Sequence, residues 1–168
     1  IINNSNKTER LKNDIRVEDG VIYMSIDDMK NFFDKYIYIE DEINEIVTTY
    51  DDKIASIGFE SNKLTLNGST KKTSAHAIKE NETVYLPISE MKDVYDIQID
   101  NIADSKIIVI DSLEKEQVQA KTKSDVSVKA KKEGFSKTVD KIEKDNQVIV
   151  IKNNNNEISE KGWTKIRT

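Results

Sequence analysis

The chain has 168 residues, 36% of them hydrophobic and 34% charged, with a formal net charge of −5 and no cysteine. Without cysteine there is no disulfide, thiol nucleophile or zinc–thiolate centre, and redox chemistry is not expected. No apolar run approaches the ~20 residues that a membrane-spanning helix needs, so no membrane insertion is expected of this segment.

The charge is divided unevenly: residues 1–114 carry 13 Lys and Arg against 23 Asp and Glu, whereas residues 115–168 carry 13 against 8. Such asymmetry suggests separate modules with different partners, and the length suits two small domains with modest cores. No nucleic-acid partner is expected. Residue 1 is Ile rather than Met, as expected of a piece of a longer gene product whose anchor or signal lies upstream.

Residues 1–14 are rich in Asn and Lys without periodicity and read as a linker or disordered head. Ile22-Tyr23-Met24-Ser25-Ile26-Asp27-Asp28-Met29-Lys30-Asn31-Phe32-Phe33 then recurs as Val84-Tyr85-Leu86-Pro87-Ile88-Ser89-Glu90-Met91-Lys92-Asp93-Val94-Tyr95, an internal repeat offset by 62 residues. Each copy opens with a β-favouring triplet and changes to a helical period. Ile26, Met29 and Phe33 in the first copy, and Ile88, Met91 and Tyr95 in the second, make one apolar face. Ser25 with Asp28 spells a capping box, and Pro87 suits the start of a helix.

Strand-like runs follow each helix, Tyr36 to Ile39 and Glu45 to Tyr50 in the first copy, Ile97 to Ile99 and Lys106 to Ile110 in the second. Between the copies, Ile54 to Phe59 and Lys63 to Leu66 flank a short polar loop, and Asn67-Gly68 signals a tight turn. The expected fold over residues 15–112 is therefore α+β, a repeated strand–helix–hairpin domain.

Residues 113–120 read as a linker. Beyond them, Val126 to Lys129, Lys137 to Val139, Gln147 to Lys152 and Trp163 to Ile166 are short strand candidates, and Asn153 to Asn156 reads as a hairpin tip. Closely spaced short strands with polar loops predict a small all-β barrel over residues 121–168.

Several motifs carry a resemblance. Lys63-Leu64-Thr65-Leu66-Asn67-Gly68, Val84-Tyr85-Leu86-Pro87-Ile88, Ile97-Gln98-Ile99-Asp100 and Ile107-Ile108-Val109-Ile110 match, in order, the motif of the copper amine oxidase N-terminal-like domain of Firmicute surface proteins. Residues 15–112 resemble that family, which implies a non-catalytic stalk without a cofactor. Val126-Ser127-Val128-Lys129, Ser136, Asp145 to Val150 and Gly162-Trp163-Thr164-Lys165-Ile166 resemble a bacterial Src-homology-type β-barrel whose closing strand would lie beyond Thr168, as in a truncated copy. The pairing is similar to the front of clostridial envelope proteins that carry a family-eighteen glycoside hydrolase domain. It implies an extracellular accessory segment, anchored at the wall or membrane upstream, with a catalytic domain downstream.

Chemistry within the chain is not expected. Glu40-Asp41-Glu42 with Glu45, and Asp27-Asp28, offer paired carboxylates as glycosidases require, but such residues at turns and helix starts read as solvated faces and helix-dipole partners. His76 has no second imidazole or thiol to help it hold a metal. Asp96, Asp100 and Asp104 stand four apart without the spelling of a calcium loop. No catalytic, cofactor or metal residue is assigned.

The expected function is a wall-binding and spacing module. Its partner would be cell-wall peptidoglycan or an anionic wall polymer, and its contact residues Lys129, Lys131, Lys132 and Trp163 in the basic half. The rival expectation is a purely structural or dimerisation stalk with no ligand.

Overall fold

The computed structural model describes residues 11–102, 107–114, 118–152 and 157–167. They fall into two compact units that divide between Leu113 and Glu114. In the first, β1 (Arg16–Glu18) and β2 (Val21–Ser25) form a hairpin that runs directly into α1 (Ile26–Phe32). A five-stranded meander follows: β3 (Tyr38–Glu40), β4 (Glu45–Tyr50), β5 (Lys53–Gly58), β6 (Lys63–Leu66) and β7 (Ser69–Lys72). A second hairpin, β8 (Ile78–Glu80) and β9 (Thr83–Pro87), leads through a 3₁₀ turn at Ile88–Met91 into the short helix α2 (Lys92–Tyr95). The hairpin of β10 (Ile97–Ile102) and β11 (Ile107–Ser112) comes last.

The second unit holds β12 (Val118–Lys121), β13 (Val126–Lys129), β14 (Thr138–Ile142), β15 (Gln147–Ile151) and β16 (Lys165–Arg167). Strands β12, β15 and β16 make one sheet, and β13 with β14 a separate ribbon. Val118–Lys121, in part within the stretch read as a linker, is paired along its length with Gln147–Val150.

These elements correct the expected fold class. Strand accounts for 50% of the chain and helix for 10%, spread over several sheets, so the molecule is mostly β rather than an α+β strand–helix–hairpin repeat. The apolar helical spacings are real but span about two turns each, too little to stand as a layer, and tertiary pairing of the β-rich flanks decides the architecture. The barrel expected over residues 121–168 is likewise a three-stranded sheet plus a ribbon among the described residues. Strand β12 pairs with β15 across the intervening ribbon, and among the described residues no ladder joins that ribbon to the sheet.

What recurs at the 62-residue offset is strand register. Arg16↔Tyr23, Val17↔Ile22 and Glu18↔Val21 in the first hairpin become Ile78↔Tyr85, Lys79↔Val84 and Glu80↔Thr83 in the second. Asp19 and Asn81, in left-handed conformation at the equivalent turn position, close the two hairpins. The β3–β4 pairs Tyr38↔Val47 and Glu40↔Glu45 likewise become Asp100↔Val109 and Ile102↔Ile107. Between the copies β2 and β9 run antiparallel, with Tyr23↔Pro87, Met24↔Leu86 and Ser25↔Tyr85. Met24 thus faces its own equivalent, and the pairing is symmetric about it. Both side chains are almost solvent-free, and the buried Ile26, Met29, Ile88 and Met91 belong to the same core.

The helix starts follow local chemistry. The Asp28 N–H donates to Ser25 Oγ at 3.1 Å, and the Ser25 hydroxyl donates to Asp28 Oδ2 at 2.6 Å. Asp28 is buried because it also accepts from the backbone N–H groups of Lys12, at 2.7 Å, and Asn13, at 3.0 Å. Residues 12 and 13, read from sequence as part of a loose head, are tied to α1 by those bonds.

The copies differ after their helices. In the second, β10 starts at Ile97 and pairs Ile97↔Ser112 and Gln98↔Asp111 at once. In the first, the equivalent pairs would be Lys35 with Tyr50 and Tyr36 with Thr49, yet pairing begins only at Tyr38↔Val47. The equivalent residues Asp34 and Asp96 are used differently: the Asp96 carboxylate is bound by Lys53, whereas that of Asp34 accepts from the Tyr36 N–H at 2.9 Å and its carbonyl from the Ile37 N–H at 3.2 Å, with Lys35-Tyr36 turned outward. The Asp34 carboxylate, almost fully buried, accepts from the Thr48 hydroxyl and from Tyr95 Oη–H at 3.3 Å.

Candidate functional site

The contact residues expected from sequence lie in the second unit, and its backbone brings most of them together. Val126–Lys129 pairs with Thr138–Ile142, with a register shift between Val128 and Lys129. The loop between the strands is closed by backbone bonds from the Ala130 N–H to Lys137 O at 3.0 Å and from the Ser136 N–H to Glu133 O at 3.0 Å. The Ser136 hydroxyl oxygen accepts from the Lys131 N–H at 3.0 Å. Lys131, Lys132, Glu133, Gly134 and Phe135 are thereby presented on an ordered, exposed tip.

Lys129 lies at the base of this tip, half-buried, and donates from Nζ to Thr138 Oγ1 at 2.9 Å. Lys132 reaches Glu160 Oε1 at 2.8 Å. Glu160 and Trp163 exchange backbone bonds of 2.8 and 2.9 Å around the turn that contains Lys161 and Gly162, both at positive φ. Lys132 is therefore anchored to the turn that carries Trp163, and the Trp163 ring is half-buried. The hydrogen bond and charge of Lys132 hold the Glu160 carboxyl below the usual carboxylate range. Both groups stay solvated, so this pair orients the loop more than it stabilises the fold.

Phe135 escaped the sequence reading. It is fully exposed, at 107% of its reference area, and Val139 on β14 is 56% exposed. An aromatic residue after Lys-Lys-Glu-Gly, in a turn with no apolar period around it, was the available signal; an unpatterned Phe in such a loop has no core to enter.

The other groups weighed from sequence are dispersed. Glu40 and Glu45 face each other across the β3–β4 turn, with Asp41 and Glu42 exposed in it. Asp27 pairs with Lys12 at 2.6 Å. His76 Nδ1 lies 2.8 Å from Asn62 Oδ1. Asp96 is bound to Lys53, Asp100 accepts from Gln98 Nε2 at 3.3 Å, and Asp104 lies outside the described residues, as does the hairpin tip expected at Asn153 to Asn156. Among the described residues no three His, Cys, Asp or Glu side chains are grouped to hold a metal ion, and no helix is long and apolar enough to cross a membrane. No family model matches the chain, and neither a curated protein nor a solved structure matches it.

Proposed function

We propose that this chain is a non-catalytic accessory region of a cell-envelope protein, in which the first unit spaces and the second binds. The observation that supports this reading most is the convergence of Lys131, Lys132 and exposed Phe135 on one ordered tip, with Lys132 fastened to the turn of Trp163. Residues 115–168 carry 13 Lys and Arg against 8 Asp and Glu. A basic ribbon attracts an anionic envelope polymer, while the acidic first unit is repelled by it. Extracellular placement, an upstream anchor and a downstream catalytic domain such as a family-eighteen glycoside hydrolase belong to the same proposal, resting on the family resemblance.

The test is retention of the full chain on purified Gram-positive wall across a salt series. Exposed charges lose most of their attraction beyond a Debye length of about 8 Å at physiological salt. Retention at low salt, release as salt rises, and loss of retention in the Lys129→Gln, Lys131→Gln, Lys132→Gln triple variant are expected. Equal retention of the triple variant, or none by the parent at low salt, would remove the binding half of the proposal and leave a spacer.

A further inference from the structure

The outward turn at Lys35-Tyr36 leaves a cleft of about 720 Å³ between the end of α1 and the end of β4. Phe33, Tyr36, Thr49, Tyr50 and Asp51 line it, together with Lys30. The equivalent place in the second copy is built differently. There β10 stays paired with β11, Tyr95, Ile97 and Asp111 are buried, and Lys53 Nζ caps the helix end, 2.8 Å from Asp93 O and in contact with the Asp96 carboxylate. One duplicated register thus gives a sealed helix end in one copy and an open one in the other.

We infer that this cleft in the first unit is a binding site for a neutral glycan. Two of its rings are packed against the buried Tyr95. Tyr50 packs edge-on against Tyr95 at 5.0 Å between centroids, and Phe33 lies 6.2 Å from the same ring. Tyr36 is 61% exposed, with Lys35 Nζ 4.7 Å from its centroid. Aromatic faces set among a few donors and acceptors are what a sugar needs, since its C–H face stacks while its hydroxyls take hydrogen bonds. The charged residues that line it, Lys30 and Lys35 against Asp34 and Asp51, balance, which suits an uncharged ligand better than the polyanion assigned to the ribbon. A peptide strand fits worse, because only Thr48, Thr49 and Tyr50 of β4 lie beyond the Tyr38↔Val47 pair, and a three-residue edge is at the short limit of ordinary strands.

The experiment is an NMR titration of the full chain with chitotetraose and, separately, cellotetraose, read at the tyrosine and phenylalanine ring protons. Either sugar should shift the Tyr36, Tyr50 and Phe33 rings in a saturable way. Tyr36→Ala should weaken that binding by about tenfold or more. Tyr38→Ala, an exposed tyrosine that does not line the cleft, should leave it unchanged. Saturable shifts that persist in Tyr36→Ala, shifts confined to other residues, or no shift with either sugar would overturn the inference. So would displacement of a bound sugar by an extended tetrapeptide that itself shifts the β4 amides. The Lys129, Lys131 and Lys132 triple variant should titrate like the parent, so failure of the ribbon and failure of the cleft are read separately.

Discussion

Met29, Ile57, Leu64, Leu86, Ile88 and Met91 in the first unit have no exposed surface, whereas the best-buried side chains among the described residues of the second, Ile142, Val148 and Val150, keep 6–8% of theirs. The first unit gains its depth by duplication. Two hairpins meet at Met24 and Leu86, two short helices follow them, and a meander lies between the copies, so several elements contribute to one core. The second has a three-stranded sheet and a ribbon whose strand β14 is exposed from Thr138 to Lys141. A module of that size has little apolar surface to remove from water. Close packing and outward display are thus separated: the first unit has the deeper core, and the second presents more of its side chains to solvent.

The contrast breaks most visibly at the symmetric pair of the first unit. Leu86→Ala should cost about 2–5 kcal/mol, the range for truncating a fully buried Leu, and Met91→Ala a similar amount. Urea unfolding followed by tyrosine absorbance reads this, because all six tyrosines, Tyr23, Tyr36, Tyr38, Tyr50, Tyr85 and Tyr95, lie in the first unit. An unchanged midpoint would show that the Met24–Leu86 contact is not core.

Asp34→Ala comes next. It leaves the Thr48 hydroxyl buried without its acceptor and removes the carboxylate bond to the Tyr36 N–H at the outward turn, a loss of about 1–3 kcal/mol. Loss of sugar-induced shifts at Tyr36 in this variant would tie the cleft to the Asp34 turn; a parental titration would separate them.

Alkali should weaken the first unit. Burial, ahead of the neighbouring Asp34 charge, lifts the Tyr95 hydroxyl far above its ordinary value of 10.0, and burial lifts Tyr23 in the same direction. A raised folded-state pKa means that the native unit keeps a proton the unfolded chain releases. The associated stability is complete below pH ~10 and is lost as pH rises above it. Tyr95→Phe should flatten that decline in a series of urea midpoints against pH, whereas an equally steep decline would assign it elsewhere.

The smallest effects belong to the ribbon. Phe135→Ser should change stability by less than ~0.5 kcal/mol, as expected at a fully exposed position. Lys132→Gln should leave the melting temperature unchanged while reducing wall retention. A large fall in stability from Phe135→Ser would mean that the side chain packs in solution.

Local signals in the sequence carried much of this anatomy. The Ser25–Asp28 cap, the Asn67-Gly68 turn and the strands Glu45–Tyr50 and Val126–Lys129 stand where residue chemistry places them. The balance of strand over helix was not legible, since Ile26/Met29/Phe33 and Ile88/Met91/Tyr95 have the right period whether the helix is a layer or a short cap on a sheet. Long-range pairing also escaped, because nothing near Met24 announces Leu86. At the candidate site, Lys129, Lys131, Lys132 and Trp163 could be named from charge and aromatic content. The link from Lys132 to Glu160 is 28 residues long in sequence and had no local sign. The cleft was invisible for the same reason, since Asp34 and Asp96 stand at equivalent positions and differ only in the partners that the fold brings to them.

The single tryptophan, Trp163, lies in the second unit, so fluorescence and tyrosine absorbance report the two units separately. The decisive measurement is urea unfolding of the full chain by both signals, with and without a soluble anionic wall polymer free of glycan. A ligand that binds a native unit raises the midpoint of that unit. The tryptophan transition should come first without polymer and move to higher urea with it, while the tyrosine transition stays in place. A shift of the tyrosine transition, or no shift of the tryptophan transition at low salt, would contradict the assignment of contact to the second unit.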